Sequence, residues 1–426
     1  MSRGAIGDTI VALSSGRAPA AIAVVRTSGP AAFVIAEAIA GPLPPPRTAS
    51  LRTLREPCDQ TPIDRALVLC FAAPDTVSGE NVVEYQCHGG KAVVAALIAA
   101  LVSFDGVREA EPGEFTRRAL SNGRIDLTQA EGLAELLEAE TEAQRQSALK
   151  RAEGALRSRI EAWREAVLVL AAEAEVAIDY ADEDEGAAVY DPAPRLAALA
   201  GEIAALLAAP RVEKLRDGVR VVVAGPPNAG KSSLVNALAG QERAIVTPIA
   251  GTTRDRIEVP LAIGGLPVVL VDTAGLRDSD EPIEQIGVGL ARQEVEEADI
   301  LLWLGSSDDL PEHRQAVLVA AKSDLQRAPG LAVSAVTGAG IEQLKARIAL
   351  HAVEIVPGPS RIALNLREAE LLEECAGALH RASALRDAVL AAEELRGARM
   401  ALDRISGLAG VDELLDALFG RFCLGK

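Results

Sequence analysis

The chain has 426 residues, a formal net charge of -18, five cysteines, and hydrophobic residues at 49 % of its positions. This length exceeds what one hydrophobic core supports and predicts about two or three domains. The negative charge excludes a protein that grips nucleic acid over its whole surface, and the scattered cysteines indicate neither a disulfide framework nor a zinc site.

The chain shows no sign of targeting to a membrane. No stretch approaches the ~18 uninterrupted apolar residues of a membrane span. Residues Met1 to Thr9 lack the basic start and apolar run of a signal peptide. We therefore expect a soluble, cytoplasmic protein.

The first part of the chain, from Asp8 to about Phe115, alternates short apolar runs with Gly and Pro punctuation. Helical stretches are expected around Ala31 to Ala40 and Ala92 to Leu101. Residues 1–118 therefore form a predicted N-terminal α+β domain.

The next segment, from about Leu120 to Lys214, is rich in Ala, Leu and Glu with apolar spacings of three and four. This pattern predicts long amphipathic helix with one interruption, the acidic segment Asp179 to Glu185. A second helical block runs from Ser360 to Gly420 and flanks a strand-and-loop block.

The fold class that follows is multidomain α/β plus α, in which a phosphate-loop domain with a parallel sheet is inserted into a helical domain. The predicted boundaries after the first domain are 119–215 for the first helical part, 216–356 for the inserted domain, and 357–426 for the second helical part.

The inserted domain opens with a nucleotide-binding motif. Val221 to Gly225 is a buried strand, and the sequence Gly-Pro-Pro-Asn-Ala-Gly-Lys-Ser follows from Gly225 to Ser232. Glycines let backbone N–H groups surround phosphate oxygens at a helix N-terminus. Lys231 then reaches the β and γ phosphates, and the Ser232 hydroxyl ligates Mg²⁺.

Two further segments complete the predicted phosphate site. A buried strand ends in Asp272-Thr-Ala-Gly275, from which the carboxylate holds Mg²⁺ through water and the Gly275 amide meets the γ-phosphate. Between this strand and the phosphate loop, Thr253 offers a hydroxyl as a further Mg²⁺ ligand. The order and spacing are those of a switch GTPase.

Base selection is predicted to depend on Lys322 and Asp324 after the strand Ala316 to Ala320. The Asp324 carboxylate accepts hydrogen bonds from guanine N1–H and its exocyclic amine, while Ser334-Ala335 supplies a backbone N–H to the carbonyl oxygen. Ala321 stands where guanine-binding proteins usually have Asn. We expect retained guanine selectivity and weaker nucleotide affinity.

Ras-like enzymes carry a water-positioning Gln directly after the glycine that corresponds to Gly275. This chain has Leu276 there. Leucine cannot orient a nucleophile, so hydrolysis needs another polar group. The acidic stretch Asp278 to Glu284 is the nearest supplier.

The motifs together resemble the MnmE (TrmE) family of tRNA-modification GTPases over essentially the whole chain. Besides the motifs above, the matching segments are Arg26-Thr-Ser-Gly-Pro, Gly79-Glu-Asn-Val-Val-Glu84, Pro112-Gly-Glu-Phe-Thr-Arg-Arg-Ala, Thr247-Pro-Ile-Ala-Gly-Thr-Thr253-Arg-Asp and Phe422-Cys-Leu-Gly-Lys426.

The resemblance implies that K⁺ takes the place of an arginine finger. Its ligands would be Asn228, Thr247, Ile249 and Thr252, and the water-activating glutamate would be Glu284. With these, the predicted GTP-contacting residues are Asn228, Ala229, Gly230, Lys231, Ser232, Ser233, Thr247, Thr252, Thr253, Asp272, Thr273, Ala274, Gly275, Lys322, Asp324, Ser334 and Ala335.

The resemblance also implies an N-terminal domain that forms a homodimer and binds 5-formyltetrahydrofolate. The matching pocket residues are Arg26, Glu84, Arg124 and the C-terminal Lys426, although the family more often has Lys where Arg124 stands. The family works with MnmG, an FAD protein, to install a (carboxymethyl)aminomethyl-type group at C5 of the wobble uridine 34 of certain tRNAs.

Two other interpretations stay open at this stage. One is a regulatory GTPase of the ribosome-assembly kind, and the other is a dimeric scaffold with degenerate hydrolysis, which Ala321 favours. A short connection also sets this domain apart: Gly305 to Arg314 is too short for the full helix expected before Ala316.

Overall fold

A computed structural model describes residues 8–179, 191–240, 257–273, 293–326, 328–358, 361–409 and 412–420, together with Phe422 and Gly425. The chain divides into two compact units. The terminal unit contains Met1–Ala134 and Ser406–Lys426, and the central unit contains Glu135–Ile405.

The terminal unit is built on a six-stranded sheet. Its strands are β1 (Thr9–Leu13), β2 (Ala20–Ser28), β3 (Ser50–Arg55), β4 (Pro62–Phe71), β5 (Val82–Gly89) and β6 (Val107–Glu109), in the order β3-β4-β5-β2-β1-β6. The pairs from β3 to β1 are antiparallel, and β6 joins β1 in parallel. Alternate residues such as Val25, Val68 and Tyr85 are buried beneath helices α1 (Ala32–Ala40) and α2 (Lys91–Val102).

Ion pairs fix a third helix, α3 (Glu114–Ser121), against this sheet. The Arg108 guanidinium donates to both Glu114 and Asp8, and Arg118 bonds the same two carboxylates. Burial opposes ionisation of Glu114, but hydrogen bonds from Arg108 and Arg118 hold its pKa below its usual range. The helix position in turn fixes Phe115 on the sheet.

Helices form the rest of the terminal unit and much of the central unit. They are α4 (Leu127–Glu138), α5 (Glu142–Ala152), α6 (Ala155–Asp179), α7 (Ala193–Leu207), α8 (Glu213–Asp217), α9 (Lys231–Ala239), α10 (Ile341–Ile355), α11 (Leu366–Ala384), α12 (Ala388–Ser406) and α13 (Asp412–Phe419). Within the described residues, no helix is both long enough and apolar enough to cross a membrane.

The prediction of helix with one interruption between Leu120 and Lys214 was wrong, because local chemistry breaks the helix several times before residue 179. Gly123 adopts a φ of 68°, which ends α3. Thr141 forms a capping box with Gln144 and starts α5. Gly154, with a φ of 88°, separates α5 from α6. The acidic segment lies mostly outside the described residues.

A buried ion pair ties these helices together. The Arg151 Nη1 and Nη2 atoms on α5 each lie 2.9 Å from an oxygen of Glu368 on α11, and Nη1 also donates to the Ala363 carbonyl at 2.8 Å. Both side chains are buried, at 1 % and 0 % exposure. Burial opposes the charge on Glu368, yet the guanidinium holds its pKa below the usual value.

The central unit also contains the second sheet. Its strands are β7 (Val219–Ala224), β8 (Ile257–Ile263), β9 (Leu266–Asp272), β10 (Ile300–Trp303), β11 (Ala316–Ala321) and β12 (Leu331–Val333), in the order β12-β11-β10-β7-β9-β8. Five strands are parallel and β8 is antiparallel to β9. The strands are apolar on both faces because both are covered: Val221 and Val223 pack against α9 and α10, and Val222 and Val271 lie on the opposite face.

The short connection before β11 is confirmed. Parallel neighbours usually need a helix between them. Residues 304–315 contain only the 3₁₀ turn Ser307–Asp309.

Replacing Arg151 with methionine should destabilise the central unit strongly. The change leaves the Glu368 carboxylate buried without its charge partner, which costs about 3–5 kcal/mol in the free energy of unfolding. Denaturant unfolding of the variant checks this value. Arg145→Met is the matched control, because Arg145 pairs with Glu142 at the surface and should change stability little; equal losses in both variants would contradict the prediction.

Candidate functional site

The strand order of the second sheet reverses at β7. After β7 the chain adds β8 and β9 on one side, and it then returns to add β10, β11 and β12 on the other side. In open parallel sheets, ligands bind where the strand order reverses in this way. The predicted phosphate loop begins at this point, directly after Ala224.

The loop backbone has positive φ angles at both of its glycines. Gly225 has a φ of 149° and Gly230 a φ of 99°, and Gly230 caps the N-terminus of α9. A Cβ on Gly225 would lie 3.1 Å from the backbone of Leu304 on the neighbouring strand's exit. Asn228 adopts a φ of 61°, an uncommon value for a residue with a side chain. The loop therefore combines three residues of positive φ with the N-terminus of a helix, an arrangement suited to binding phosphate groups.

Lys231 lies inside this loop, with its side chain curled back over it. Its Nζ donates to the carbonyls of Gly225 and Pro226, both at 3.0 Å, and the residue is 8 % exposed. Ser232 and Ser233 follow in the exposed first turn of α9. An ammonium beside a helix N-terminus is suited to a polyphosphate anion.

The Asp272-Thr273 pair lies beside the loop. Asp272 ends β9 opposite Val223 of β7 and is 3 % exposed. The Thr273 hydroxyl donates to the Val223 carbonyl at 2.9 Å, which ties the end of β9 to the strand that carries the phosphate loop. The predicted Mg²⁺-site carboxylate therefore lies on the strand adjacent to β7.

The predicted base-binding residues also gather at this edge. The Ser323 amide donates to the Val333 carbonyl at 3.1 Å, which sets the segment bearing Asp324 next to Ser334 and Ala335. Ser334 is buried and its hydroxyl accepts from the Thr337 amide, so its turn is fixed. Asp324 is exposed to solvent.

Lys322 links the base-binding segment to the phosphate loop. It has a φ of 57°, and its Nζ donates to the Asn228 carbonyl at 2.7 Å. The neighbouring Ala321 contributes only a Cβ, which lies 3.9 Å from where a Cβ on Gly230 would be. The described side-chain hydrogen bond between the two segments therefore comes from Lys322.

Several predicted ligands lie outside the described residues. They include the predicted Mg²⁺ and K⁺ ligands of the first switch, the residues after Thr273, the predicted water-activating glutamate, and the C-terminal lysine: Thr247, Ile249, Thr252, Thr253, Ala274, Gly275, Glu284 and Lys426.

The terminal unit brings two of its predicted pocket residues together. Arg26 on β2 is directly opposite Glu84 on β5, and its Nε donates to the Glu84 carboxylate at 2.9 Å. The Arg26 guanidinium lies 5.5 Å from the centre of the Phe115 ring, and its Nη1 donates to the Gly425 carbonyl at 3.4 Å. The C-terminal tail thus reaches this pair.

Gly425 fits this position because it has no side chain. Its φ is 93°, and a Cβ would collide with the carbonyl of Leu13. The close approach of the tail to β1 therefore requires glycine.

Arg124 has a different described partner. Its Nη1 lies 3.2 Å from the Asp75 carboxylate, and both side chains are substantially exposed. The described contacts do not join Arg124 to Arg26 or Glu84. Sequence reasoning missed Asp75 and Phe115, although Phe115 stands within the Pro112-Gly-Glu-Phe segment and could have been noticed there.

Comparison with known proteins matches both units. The sequence profile for the MnmE helical domain matches residues 127–423, and that for the GTP-binding protein TrmE N-terminus matches residues 9–124. The chain is 50 % identical over 429 residues to the tRNA modification GTPase MnmE of Erythrobacter litoralis, covering 98 % of this chain and 100 % of that protein. It is 49 % identical over 428 residues to the protein of the same name in Rhizorhabdus wittichii, covering 98 % and 97 %.

Placing asparagine at position 321 should tighten binding of a guanine nucleotide. One restored hydrogen bond between the base-binding segment and the loop contributes about 0.5–1.5 kcal/mol, or roughly a two- to tenfold lower Kd. Calorimetric titration of Ala321→Asn with GDP measures the change. Ala332→Asn, at an exposed position on β12, should leave the Kd unchanged; an unchanged Kd for Ala321→Asn as well would show that the amide is not needed.

Proposed function

The chain belongs to the MnmE family of tRNA modification GTPases, and we propose that it couples K⁺-stimulated GTP hydrolysis to C5 modification of wobble uridine 34 in certain tRNAs. The observation that carries the proposal is the convergence of Lys231, Asp272 and the Lys322–Asp324 segment at one edge of the parallel sheet. This edge holds the groups needed for the phosphates, for Mg²⁺ and for guanine.

The residues of this edge divide the work of GTP hydrolysis. The Lys231 ammonium leaves the loop carbonyls for the β and γ phosphates, where it offsets charge that builds up in the transition state. The Ser232 hydroxyl and the Asp272 carboxylate are oxygen donors, the type that Mg²⁺ prefers. The metal supplies further charge neutralisation when it is bound. Asp324 selects guanine by accepting from its N1–H and amine.

Asn228 supports the K⁺ part of the proposal. Its side chain is exposed at the tip of the phosphate loop, and Lys322 holds its backbone carbonyl. An amide oxygen in this position suits a hard cation, which would take the place of the arginine finger that other GTPases use. Thr247, Ile249 and Thr252 would complete the ligand set.

Glu284 is the proposed water-activating group. Its replacement by alanine should lower the kcat for GTP by about 10²–10⁴-fold, the usual contribution of a positioned acid or base, and leave the Kd for GDP unchanged. The measurement is steady-state hydrolysis in KCl and in NaCl.

The matched control is Glu281→Ala in the same acidic stretch, which should keep its turnover. Wild-type turnover that is equal in the two salts would overturn the K⁺ assignment. Full activity of Glu284→Ala would overturn the assignment of the glutamate.

The Arg26–Glu84 pair supports a 5-formyltetrahydrofolate site in the terminal unit. A carboxylate offers an acceptor to the N–H groups of a pterin, and a guanidinium pairs with an anionic glutamyl tail. Lys426 would add a second cation, since the Gly425 carbonyl already lies at Arg26. Arg124 pairs with Asp75, so it would have to leave that partner to join the ligand.

The proposed partners follow from the same assignment. We infer a cytoplasmic homodimer that works with an MnmG-type FAD protein on tRNA. The net charge of -18 supports a partner that supplies much of the cationic surface for tRNA.

Deleting the gene and analysing the nucleosides of bulk tRNA tests the cellular function. The deletion strain should lack the C5-modified wobble uridine, a plasmid with the wild-type gene should restore it, and one with Lys231→Ala should not, because the phosphate contact is lost. Unchanged nucleosides in the deletion strain would exclude the tRNA role. Restoration by Lys231→Ala would separate that role from GTP hydrolysis.

A further inference from the structure

Arg220 on β7 joins two carboxylates that belong to two other elements. Its Nη1 donates to Glu258 on β8 at 3.0 Å, and its Nη2 donates to Glu294 in the helical residues 293–297. The guanidinium is 22 % exposed, Glu258 is 43 % exposed, and Glu294 is 2 % exposed. One side chain therefore links two strands of the second sheet to the helical residues 293–297.

The two carboxylates lie at related places in the sequence. Glu258 comes just after residues 241–256, which contain the predicted Mg²⁺ ligand Thr253. Glu294 comes just after residues 274–292, which contain the proposed water-activating Glu284. Arg220 itself is on the strand that leads into the phosphate loop. We term these three residues the Arg220 cluster (Arg220, Glu258 and Glu294). In the proposed function, three segments of the protein contact the γ-phosphate region. Each of these segments adjoins one member of the Arg220 cluster in sequence.

The backbone of Arg220 is held in place from the other side. Its N–H donates to the Asp299 carboxylate at 2.9 Å, its carbonyl accepts from the Asp299 amide at 2.9 Å, and Lys214 pairs with the same carboxylate. The backbone of the strand that carries the guanidinium is therefore held in place.

The chemistry of arginine makes the two contacts interdependent. A guanidinium is planar, with donors in a rigid fork, so a shift of one carboxylate turns the plane away from the other. Burial opposes the charge on Arg220, but its carboxylate partners raise its pKa. Glu294 is almost fully buried, and the guanidinium helps to compensate its charge.

We propose that Arg220 is a positioning residue for GTP hydrolysis, which couples the placement of the segment before Glu258 to that of the segment after Thr273. This inference depends on the proposed GTPase activity and deepens it. A change in one segment reaches the other through the shared guanidinium without any contact between Arg220 and the nucleotide.

The test uses the full-length protein in KCl with four variants: Arg220→Gln, Arg220→Lys, Glu258→Gln and Glu294→Gln. We expect kcat for GTP to fall roughly ten- to hundredfold, the effect of misplacing reacting groups by about 1 Å, while the Kd for GDP stays within about twofold. Lysine keeps the charge but lacks the fork, so Arg220→Lys should not restore kcat. Arg216→Gln, which removes an exposed pair with Asp217, is the matched control and should keep kcat.

Coupling is read from the double variant Glu258→Gln/Glu294→Gln. If both carboxylates act through one guanidinium, the double variant should lose no more kcat than the more severe single variant. Losses that multiply would overturn the coupling. Equal losses of kcat and of GDP affinity would show that the cluster only supports the fold, which would overturn the proposal. Unchanged kcat in the variants would also overturn it.

Two further readouts keep the outcomes distinct. A thermal melt shows whether Glu294→Gln and Arg220→Gln are folded. If they are not, the exposed Glu258→Gln variant still tests the contact between Arg220 and Glu258. Absence of turnover in the wild-type protein would overturn the proposed function and this inference with it. Normal wild-type turnover with unaffected variants would overturn the inference alone.

Discussion

Parallel pairing of β7 with both β9 and β10 is the constraint on which the nucleotide site depends. Because parallel strands all end at the same edge, residues from distant parts of the chain meet there without any direct link between them. Asp272 ends one such strand, Lys322 follows a second, and the phosphate loop follows a third. A hydrogen bond from Thr273 to the Val223 carbonyl ties the end of β9 to the strand that carries the loop.

Two arginines with little exposure to solvent join elements that are far apart in sequence. Arg151 connects α5 with α11, and Arg220 connects β7 with β8 and with residues 293–297. In each case the residue that joins the elements is an arginine, because the several donors of a guanidinium can satisfy more than one acceptor at once. The cost of burying these charges is offset only when the complete geometry forms, so the pairs favour one arrangement of the elements over others.

The central unit shows how its helical and sheet parts are connected through α5. Gln144 caps this helix and also donates to the Leu215 carbonyl before β7, and the Ala143 amide donates to Gly265 in the turn between β8 and β9. The other end of α5 carries Arg151 and its buried contact with α11. One short helix thus contacts the sheet with its first turn and the helical core with its last.

The sequence by itself determined the family, the fold class and the phosphate loop, because these depend on local spacing: a buried strand, glycines at left-handed positions, and Lys231 at a helix start. The same local signals anticipated the shortened connection before Ala316. Tertiary structure alone decided which groups meet. Nothing in the spacing of Arg220, Glu258 and Glu294 predicts that they form ion pairs with one another. The sequence also did not predict that Arg124 pairs with Asp75. Charged contacts of this kind depend on strand order and register, which are set by packing over the whole unit and not by the neighbouring residues.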